Sequence, residues 1–352
     1  MKIAIILGTR PEIIKLSPII RLLQEQKKDF IIIHTNQHYS NEMDEVFFKE
    51  LLLPQPNYNL NIHGGNHGEM TGRMLIELEK ILLSERPDWV LVEGDTNTVL
   101  AGALTATKLG IKVGHIEAGL RSYDRTMPEE TNRVLADHVS TLLFCPTEKQ
   151  ATILFSEGIS KNSVFVTGNT IVDAVQQGIT IINSTNQFKA YSVSRYFLLT
   201  LHRPSNVDSK EVLSRILNAI SKIATEENKI VYFPVHPRTR QSLESFDISL
   251  PPNFVAKPPC GYFEMLYLEK NASMIFTDSG GVQEEACILQ TPCVTLRENT
   301  ERPETIEAGA NILGGTDDET IREAYSTMRA KPHSWICPYG NGTAAQQILS
   351  HL

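Results

Sequence analysis

The sequence predicts an α/β protein built from two successive Rossmann-like, doubly wound domains. Short continuous apolar runs of strand length alternate with longer stretches whose apolar residues recur at helical spacing, the pattern of parallel strands joined by helices. The runs end in small polar turns rich in Gly, Ser, Asn and Pro, each of which opens the next helix. The alternation fades into polar sequence near Asn183–Ser194 and restarts at Tyr196, and 352 residues with 41% hydrophobic content suffice for two cores.

The first run, Ile3–Leu7, passes through Gly8-Thr9-Arg10-Pro11-Glu12 into Ile13, Ile14, Leu16, Ile19, Ile20 and Leu23 at helical spacing. Arg10 and Lys15 stand near the positive end of that helix, a poor place for cations, so both are candidates to face a bound anion. Phe30–Ile33 predicts the second strand, followed by a polar loop at Asn36–Tyr39 and an amphipathic helix through Met43, Val46, Phe47 and Leu51. The strand Trp89–Val92 ends in Glu93-Gly94-Asp95, and the next, Ile111–Ile116, ends in Glu117. Successive parallel strands thereby bring two carboxylates, Asp95 and Glu117, to one edge of a sheet, where ligands of such sheets bind. Pro128, Glu129 and Glu130 open a further helix in the ordinary N-terminal manner, with Arg133 four residues beyond Glu129 on the same face. Leu142–Cys145 and Val164–Val166 complete the first domain, taken as residues 1–185.

The second domain, 186–340, opens with a strand at Tyr196–Leu201 and a turn, His202-Arg203-Pro204-Ser205-Asn206, that resembles the turn after the first strand. Ile230–Phe233 and Asn253–Ala256 continue it. A run ending at Asp278 then meets Ser279, Gly280 and Gly281, which start a helix carrying Val282, Ala286 and Leu289. Free backbone N–H groups and the positive dipole end converge there, Ser279 is suited to cap the helix, and the glycines leave the backbone open to a phosphate. Glu285, in the first turns, suits a pair of sugar hydroxyls such as a ribose. After the strand Pro292–Leu296, the loop from Arg297 to Arg302 adds cations at the same edge. A short C-terminal helix, about 341–352, is expected to pack back on the first domain.

Several classes are disfavoured. A net charge of −8, from 33 Lys and Arg against 41 Asp and Glu, argues against nucleic acid or an anionic membrane as partner. Five cysteines, odd in number and without a C-x-x-C pair, indicate neither a zinc ribbon nor a disulfide framework, and a reducing cytoplasm is the expected home. The opening apolar run is too short for a signal-peptide core, and no run reaches membrane-spanning length. His63 and His67 do not have metal-ligand spacing, and no metal is expected. No G-x-G-x-x-G follows Ile3–Leu7 or Tyr196–Leu201, which disfavours a bound nicotinamide.

Taken together, Gly8-Thr9-Arg10-Pro11-Glu12, Gly94-Asp95-Thr96, His115-Ile116-Glu117-Ala118-Gly119-Leu120-Arg121, Pro128-Glu129-Glu130, Thr277-Asp278-Ser279-Gly280-Gly281 and Thr300-Glu301-Arg302-Pro303-Glu304 form a joint pattern. In it the chain resembles the non-hydrolysing UDP-N-acetylglucosamine 2-epimerases, from Ile3 to Pro338-Tyr339-Gly340. The resemblance implies a glycosyltransferase-B architecture with UDP in an interdomain cleft, a homodimer, and interconversion of UDP-N-acetylglucosamine and UDP-N-acetylmannosamine with no cofactor. It further implies elimination: a base removes the C2 proton as UDP leaves C1, giving 2-acetamidoglucal, and UDP re-adds as a proton reaches the other face of C2. Two acid/base groups are then required. By resemblance Asp95, Glu117 and Glu129 are the candidates. Arg10, His202, Arg133 and the Ser279–Gly281 amides would stabilise the departing diphosphate, Glu285 would hold the ribose, and Lys15 and Arg302 the phosphate or sugar.

Ser205, Cys260 and Met265 depart from the family pattern, the latter two near the expected uracil pocket, and Tyr39 departs from the pattern of an activating second site. Three other functions are compatible with the same motifs: 2-epimerisation of a UDP-2,3-diacetamido uronic acid, glycosyl transfer by the same architecture, and a catalytically silent UDP-sugar sensor.

Overall fold

The computed structural model describes residues 1–37, 47–185, 188 and 196–352. His38, Tyr39, Met43 and Val46, with most of the polar stretch before Tyr196, lie outside the described residues. The chain divides into two compact units, Met1–Gln177 with Tyr339–Leu352, and Gly178–Pro338.

In unit 1, β1 (Lys2–Leu7), α1 (Arg10–Glu25), β2 (Asp29–His34), β3 (Tyr58–Asn59), α2 (His67–Glu85), β4 (Trp89–Glu93), α3 (Asn97–Lys108), β5 (Lys112–Ile116), α4 (Pro128–Val139), β6 (Leu142–Cys145), α5 (Glu148–Ser156), β7 (Val164–Val166) and α6 (Thr170–Thr185) follow in order. The division between the units falls inside α6. The strands form a parallel sheet in the order β3-β2-β1-β4-β5-β6-β7. Helices cover both faces of such a sheet, so a central strand reads as a continuous apolar run, and Ile3–Leu7 are accordingly fully buried.

Unit 2 repeats the design with β8 (Phe197–Thr200), α7 (Pro204–Val207), α8 (Lys210–Glu226), β9 (Val231–Pro234), α9 (Pro237–Ser245), β10 (Phe254–Lys257), α10 (Tyr262–Asn271), β11 (Met274–Thr277), α11 (Gly280–Leu289), β12 (Cys293–Thr295), α12 (Pro303–Glu307), β13 (Asn311–Leu313) and α13 (Asp318–Ala330). Its parallel order is β10-β9-β8-β11-β12-β13. In both sheets the first strand of the unit lies between the second and the fourth, so the strand order reverses there. That reversal is the topological switch point, where the loops diverge and leave a crevice at the carboxyl ends of the strands.

The last element, α14 (Ala344–Ser350), belongs to unit 1. The amides of Ala344 and Ala345 donate to the Asp173 carboxylate at 3.2 and 3.0 Å, and the His351 ring lies 3.9 Å from that of Phe165. Before α6, Gly168 has φ +83°, and a Cβ there would stand 2.8 Å from the Tyr339 carbonyl oxygen. Asn169 donates its amide to that same oxygen at 2.8 Å. Gly168→Ala should therefore lower stability by about 2 kcal/mol, from left-handed strain plus the clash. Denaturant melts of the two proteins measure it, and equal midpoints would show that the tail does not depend on this turn.

Candidate active site

The carboxyl ends of β1, β4 and β5 meet at the switch point of unit 1. A Cβ on Gly8 would lie 2.1 Å from Thr35 Oγ1 and 2.3 Å from Thr98 Oγ1, so only glycine lets the chain leave β1 there. Thr9 then caps α1, and the Glu12 carboxylate reaches back to the amides of Gly8 at 2.5 Å and Thr9 at 2.8 Å and accepts from the Thr96 hydroxyl. Glu12 is fully enclosed, and burial pushes its pKa up to about 7 against those hydrogen bonds.

One turn along α1, Lys15 is buried among carboxylates. Its ammonium lies 2.6 Å from Glu117 Oε1 and 3.1 Å from Glu93 Oε1. Glu117 follows β5 with φ +65°, a left-handed conformation for a residue with a side chain, at a cost on the order of 1–3 kcal/mol. The same Glu117 oxygen also accepts from Asn169 Nδ2 at 2.9 Å. Glu93, the last residue of β4, is buried, and desolvation holds its carboxyl well above the usual range although Lys15 pulls the other way.

Asp95 sits in a different environment. Its side chain is 31% exposed and ion-paired with Arg133, whose other nitrogen lies 3.0 Å from Glu130. Asn132 donates to the Asp95 carbonyl at 2.9 Å and to Asn97 Oδ1 at 3.2 Å. The carboxylate of Glu130 gathers the amides of Ser122 and Tyr123 at 2.8 and 2.9 Å and the Ser122 hydroxyl, so it faces back under that turn.

A buried charge network braces both strand ends from behind. His115 Nδ1 lies 2.7 Å from Asp137, and its Nε2 lies 2.8 Å from the Gly94 carbonyl oxygen. Burial alone would lower the His115 pKa, but Asp137 leaves it raised, and with an acceptor at each ring nitrogen the ring holds the turn before Asp95. Arg121 and the Gly119 amide donate to the other Asp137 oxygen at 2.7 and 3.2 Å, fixing the turn after Glu117.

In unit 2 the corresponding edge lies between β8 and β11. Asp278 is fully buried and accepts from the amides of His202 and Arg203 and from Asn206 Nδ2, at 2.9–3.1 Å. His202 Nδ1 lies 2.9 Å from Asp278 Oδ1, with the ring 38% exposed and its centroid 5.6 Å from that of His236. The Asp278 carboxylate fixes the tautomer and leaves His202 Nε2 for a ligand. Ser279 caps α11, and beyond its chain neighbours and its own helix no heavy atom of the described residues lies within 4 Å of where a Gly280 Cβ would be, so the helix N-terminus is open to an anion.

Arg302 is ion-paired at 2.8 Å with Glu284, the neighbour of Glu285. Met265 and Cys260 pack against the small cluster that includes Val282 and Ala286, beneath the same helix. Beneath the loop that carries Arg302, Gln283 Oε1 accepts from the Thr300 hydroxyl at 2.6 Å and from Asn311 at 3.2 Å.

Several expected residues are placed together. Asp95, Glu117, Lys15 and Arg133 gather at the unit 1 switch point, and His202 and Ser279–Gly281 at that of unit 2. Two expectations change. Lys15 was expected to face a bound anion, but the groups it meets are the protein carboxyls of Glu117 and Glu93, because α1 directs it inward against β4 and β5. Arg133 pairs with Glu130, three residues back, because Glu130 turns under Ser122, while Glu129 is half-exposed at the helix start. Arg10 stacks over the Phe47 ring at 4.3 Å. Glu93, Asn169, Asp137 and Glu284 belong to the candidate site although residue patterns did not single them out, and Asp278 stood within a motif without being given a role. The signal for Glu93 and Asp278 was their position at the ends of apolar runs.

A family profile described as UDP-N-acetylglucosamine 2-epimerase matches residues 21–352. The chain is 57% identical over 361 residues to a UDP-N-acetylglucosamine 2-epimerase of Methanocaldococcus jannaschii, covering 100% of this chain and 99% of the relative. It is 41% identical over 356 residues to a UDP-2,3-diacetamido-2,3-dideoxy-D-glucuronate 2-epimerase of Pseudomonas aeruginosa, covering 100% of this chain and 99% of that one. Among solved structures, Methanocaldococcus jannaschii UDP-GlcNAc 2-epimerase in complex with UDP-GlcNAc and UDP matches with TM-score 0.88 and 56% identity, covering 100% of this chain and 99% of that one. The two doubly wound α/β units are of the glycosyltransferase-B kind.

Glu12 gives the site a pH signature in stability. Its folded pKa of about 7 lies above the ordinary 4.5, so its contribution is complete below about 4.5 and is lost as pH rises through 7. Glu12→Gln keeps a neutral acceptor for the Gly8 and Thr9 amides and should remove up to about 3 kcal/mol of that loss. Thermal midpoints across this range should converge at low pH and favour the variant at high pH; parallel curves would show that Glu12 is ionised throughout.

Proposed function

The chain belongs to the UDP-N-acetylglucosamine 2-epimerase family, and we propose that it interconverts UDP-N-acetylglucosamine and UDP-N-acetylmannosamine by elimination and re-addition of UDP. The observation that carries this is the pair of carboxylates on adjacent strand ends in unlike surroundings. Asp95 is half-exposed on Arg133, and Glu117 is buried on Lys15 and Asn169. Two carboxyl groups held in different environments are what removal of a proton from one face of C2 and delivery to the other require.

In this mechanism one carboxylate takes the C2 proton while the C1–oxygen bond to UDP breaks, leaving 2-acetamidoglucal. The other carboxyl group protonates C2 from the opposite face as UDP returns to C1. Glu129 is the third candidate for these transfers. The open N-terminus of α11, with Ser279, Gly280 and Gly281, holds the diphosphate, and His202, oriented by Asp278, stabilises its developing charge. Glu285 takes the ribose. Arg10, Arg133 and Arg302 supply cations, Met265 borders the uracil, and Lys15 acts through Glu117. Unit 1 is thus assigned the proton chemistry and unit 2 the nucleotide. No cofactor or metal takes part, and we assign the enzyme to the cytoplasm as a homodimer. Among the described residues no helix is long and apolar enough to cross a membrane.

The 41% identity to the diacetamido-glucuronate enzyme keeps that substrate as the second reading, against 57% for the acetylglucosamine enzyme. Offering both nucleotide sugars to the purified protein in deuterated water decides between them. Turnover without added cofactor should place deuterium at C2 of both UDP-N-acetylmannosamine and recovered UDP-N-acetylglucosamine. Product that keeps its original C2 hydrogen would rule out elimination with solvent-exchanging acids. Asp95→Asn and Glu117→Gln should each cut epimerisation by at least about 100-fold while UDP affinity changes less than about threefold. Equal loss of UDP binding by both would remove their catalytic assignment.

A further inference from the structure

We propose that Glu93 is a positioning residue for Glu117, keeping a proton through the catalytic cycle and donating it in a hydrogen bond to the Glu117 carboxylate beside Lys15. The proposal rests on the role given to Glu117 above.

The geometry begins with the sheet register. Glu93 on β4 is paired with Ile116 on β5, so the next residue, Glu117, lies diagonally across from it. Both side chains are buried, and Lys15 reaches both, closer to Glu117 at 2.6 Å than to Glu93 at 3.1 Å. Glu117 Oε1 already accepts from Lys15 and Asn169, whereas Glu93 Oε1 is buried with no hydrogen bond among the described residues. An enclosed carboxylate whose nearby cation is shared with a second carboxylate is costly as an anion and far less so as a neutral acid. The charged and titratable groups acting on Glu93 are Lys15 and Glu12 from α1 and Glu117 from β5. Two carboxyl groups share that ammonium while Glu12 adds to the repulsion, and of the three Glu93 has the fewest donors. Burial and the neighbouring Glu117 carboxylate both favour the protonated form of Glu93.

This assigns the proton inventory of the proposed reaction. At rest the pair holds one proton, on Glu93, and carries one negative charge balanced by Lys15. When the C2–H bond breaks, Glu117 gains that proton as its electron pair forms the C1–C2 double bond and the C1–oxygen electrons leave with UDP. The pair then holds two protons and no charge, and it returns to one when Glu117 releases its proton to solvent, Asp95 having supplied the proton that reaches the other face of C2. Glu93 never releases its own. Its hydrogen bond holds Glu117 in place and, by stabilising the carboxylate, helps Glu117 release the proton it has taken and serve again as a base.

Glu93→Gln and Glu93→Leu test this, because glutamine imitates a neutral donor and leucine does not. Glu93→Gln should keep kcat within about threefold of the parent at neutral pH, while Glu93→Leu should lower kcat about 100-fold with KM changed less than about threefold. The alkaline decline of kcat, set in the parent by loss of the Glu93 proton, should move to higher pH in Glu93→Gln. Equal losses in the two variants, or an unchanged alkaline limb in Glu93→Gln, would overturn the proposal.

A second measurement needs no turnover and holds if the leucine variant fails to fold. Infrared spectra in mildly alkaline buffer, where Glu12 has ionised, should show a protonated-carboxyl band in the parent that persists in Glu12→Gln and vanishes in Glu93→Gln. Its absence from the parent would overturn the proposal whether or not the protein epimerises. If the band is present but C2 gains no deuterium, the failure belongs to the proposed reaction.

Discussion

A parallel sheet wrapped by helices on both faces leaves its polar chemistry only the strand ends. The backbone groups of β1 and β8 are spent on neighbouring strands, and their side chains lie in apolar cores. Where the strand order reverses, the loops from adjacent strands part, and side chains reach that gap without crossing a packed face. The two units obey this constraint alike, with β1 and β4 flanking the gap in one and β8 and β11 in the other. They fill it differently. Unit 1 crowds it with carboxyl groups and one ammonium, while unit 2 presents a helix N-terminus, two histidines and one buried carboxylate.

Buried charges on this scale need a reason, since separating an ion from water costs several kcal/mol and one attractive partner rarely recovers it. Each buried anion here meets more than one donor. Asp137 joins His115, Arg121 and the Gly119 amide, and Asp278 gathers two amides, a histidine and an asparagine. The Asp137 carboxyl is held below the usual range, because its hydrogen bonds to His115 and Arg121 outweigh the burial that would raise it. Neither Asp137 nor Asp278 is placed as an acid or base. Each locks a turn, one after Glu117 and one at His202, so that the neighbouring residue points in a single direction.

The strand ends were legible from sequence because an apolar run followed by Gly, Ser or Asp marks where a buried strand surfaces. Asp95, Glu117, His202 and Ser279 all follow such runs. Partnership was harder to read. A cation in the first turns of a helix is unfavourable whether its counter-ion is a ligand or a protein carboxylate, so Lys15 could be flagged without its partner. Residues three and four positions apart share a helix face, so Arg133 pointed to Glu129 when Glu130 was its partner. Glu93 looked like a polar strand terminus because its significance lies in the register with β5, which is a long-range property. The two-residue β3 and three-residue β13 have too few residues to establish any periodicity.

The left-handed backbone at Glu117 ties these points together. A glutamate there bears strain that glycine would relieve, yet glycine would remove the carboxylate. The turn persists because Asp137 anchors the chain through the Gly119 amide and Arg121, and because the Gly94 amide donates at 3.1 Å to the carbonyl of Ile116 just before it. Held from both sides, the side chain is driven inward onto Lys15 and Asn169 instead of outward into water. A carboxylate on a relaxed extended terminus would reach solvent, much as half-exposed Asp95 does. The two carboxylates therefore sit in different surroundings because one backbone turn is forced, and that difference is what the proposed proton transfers at the two faces of C2 require.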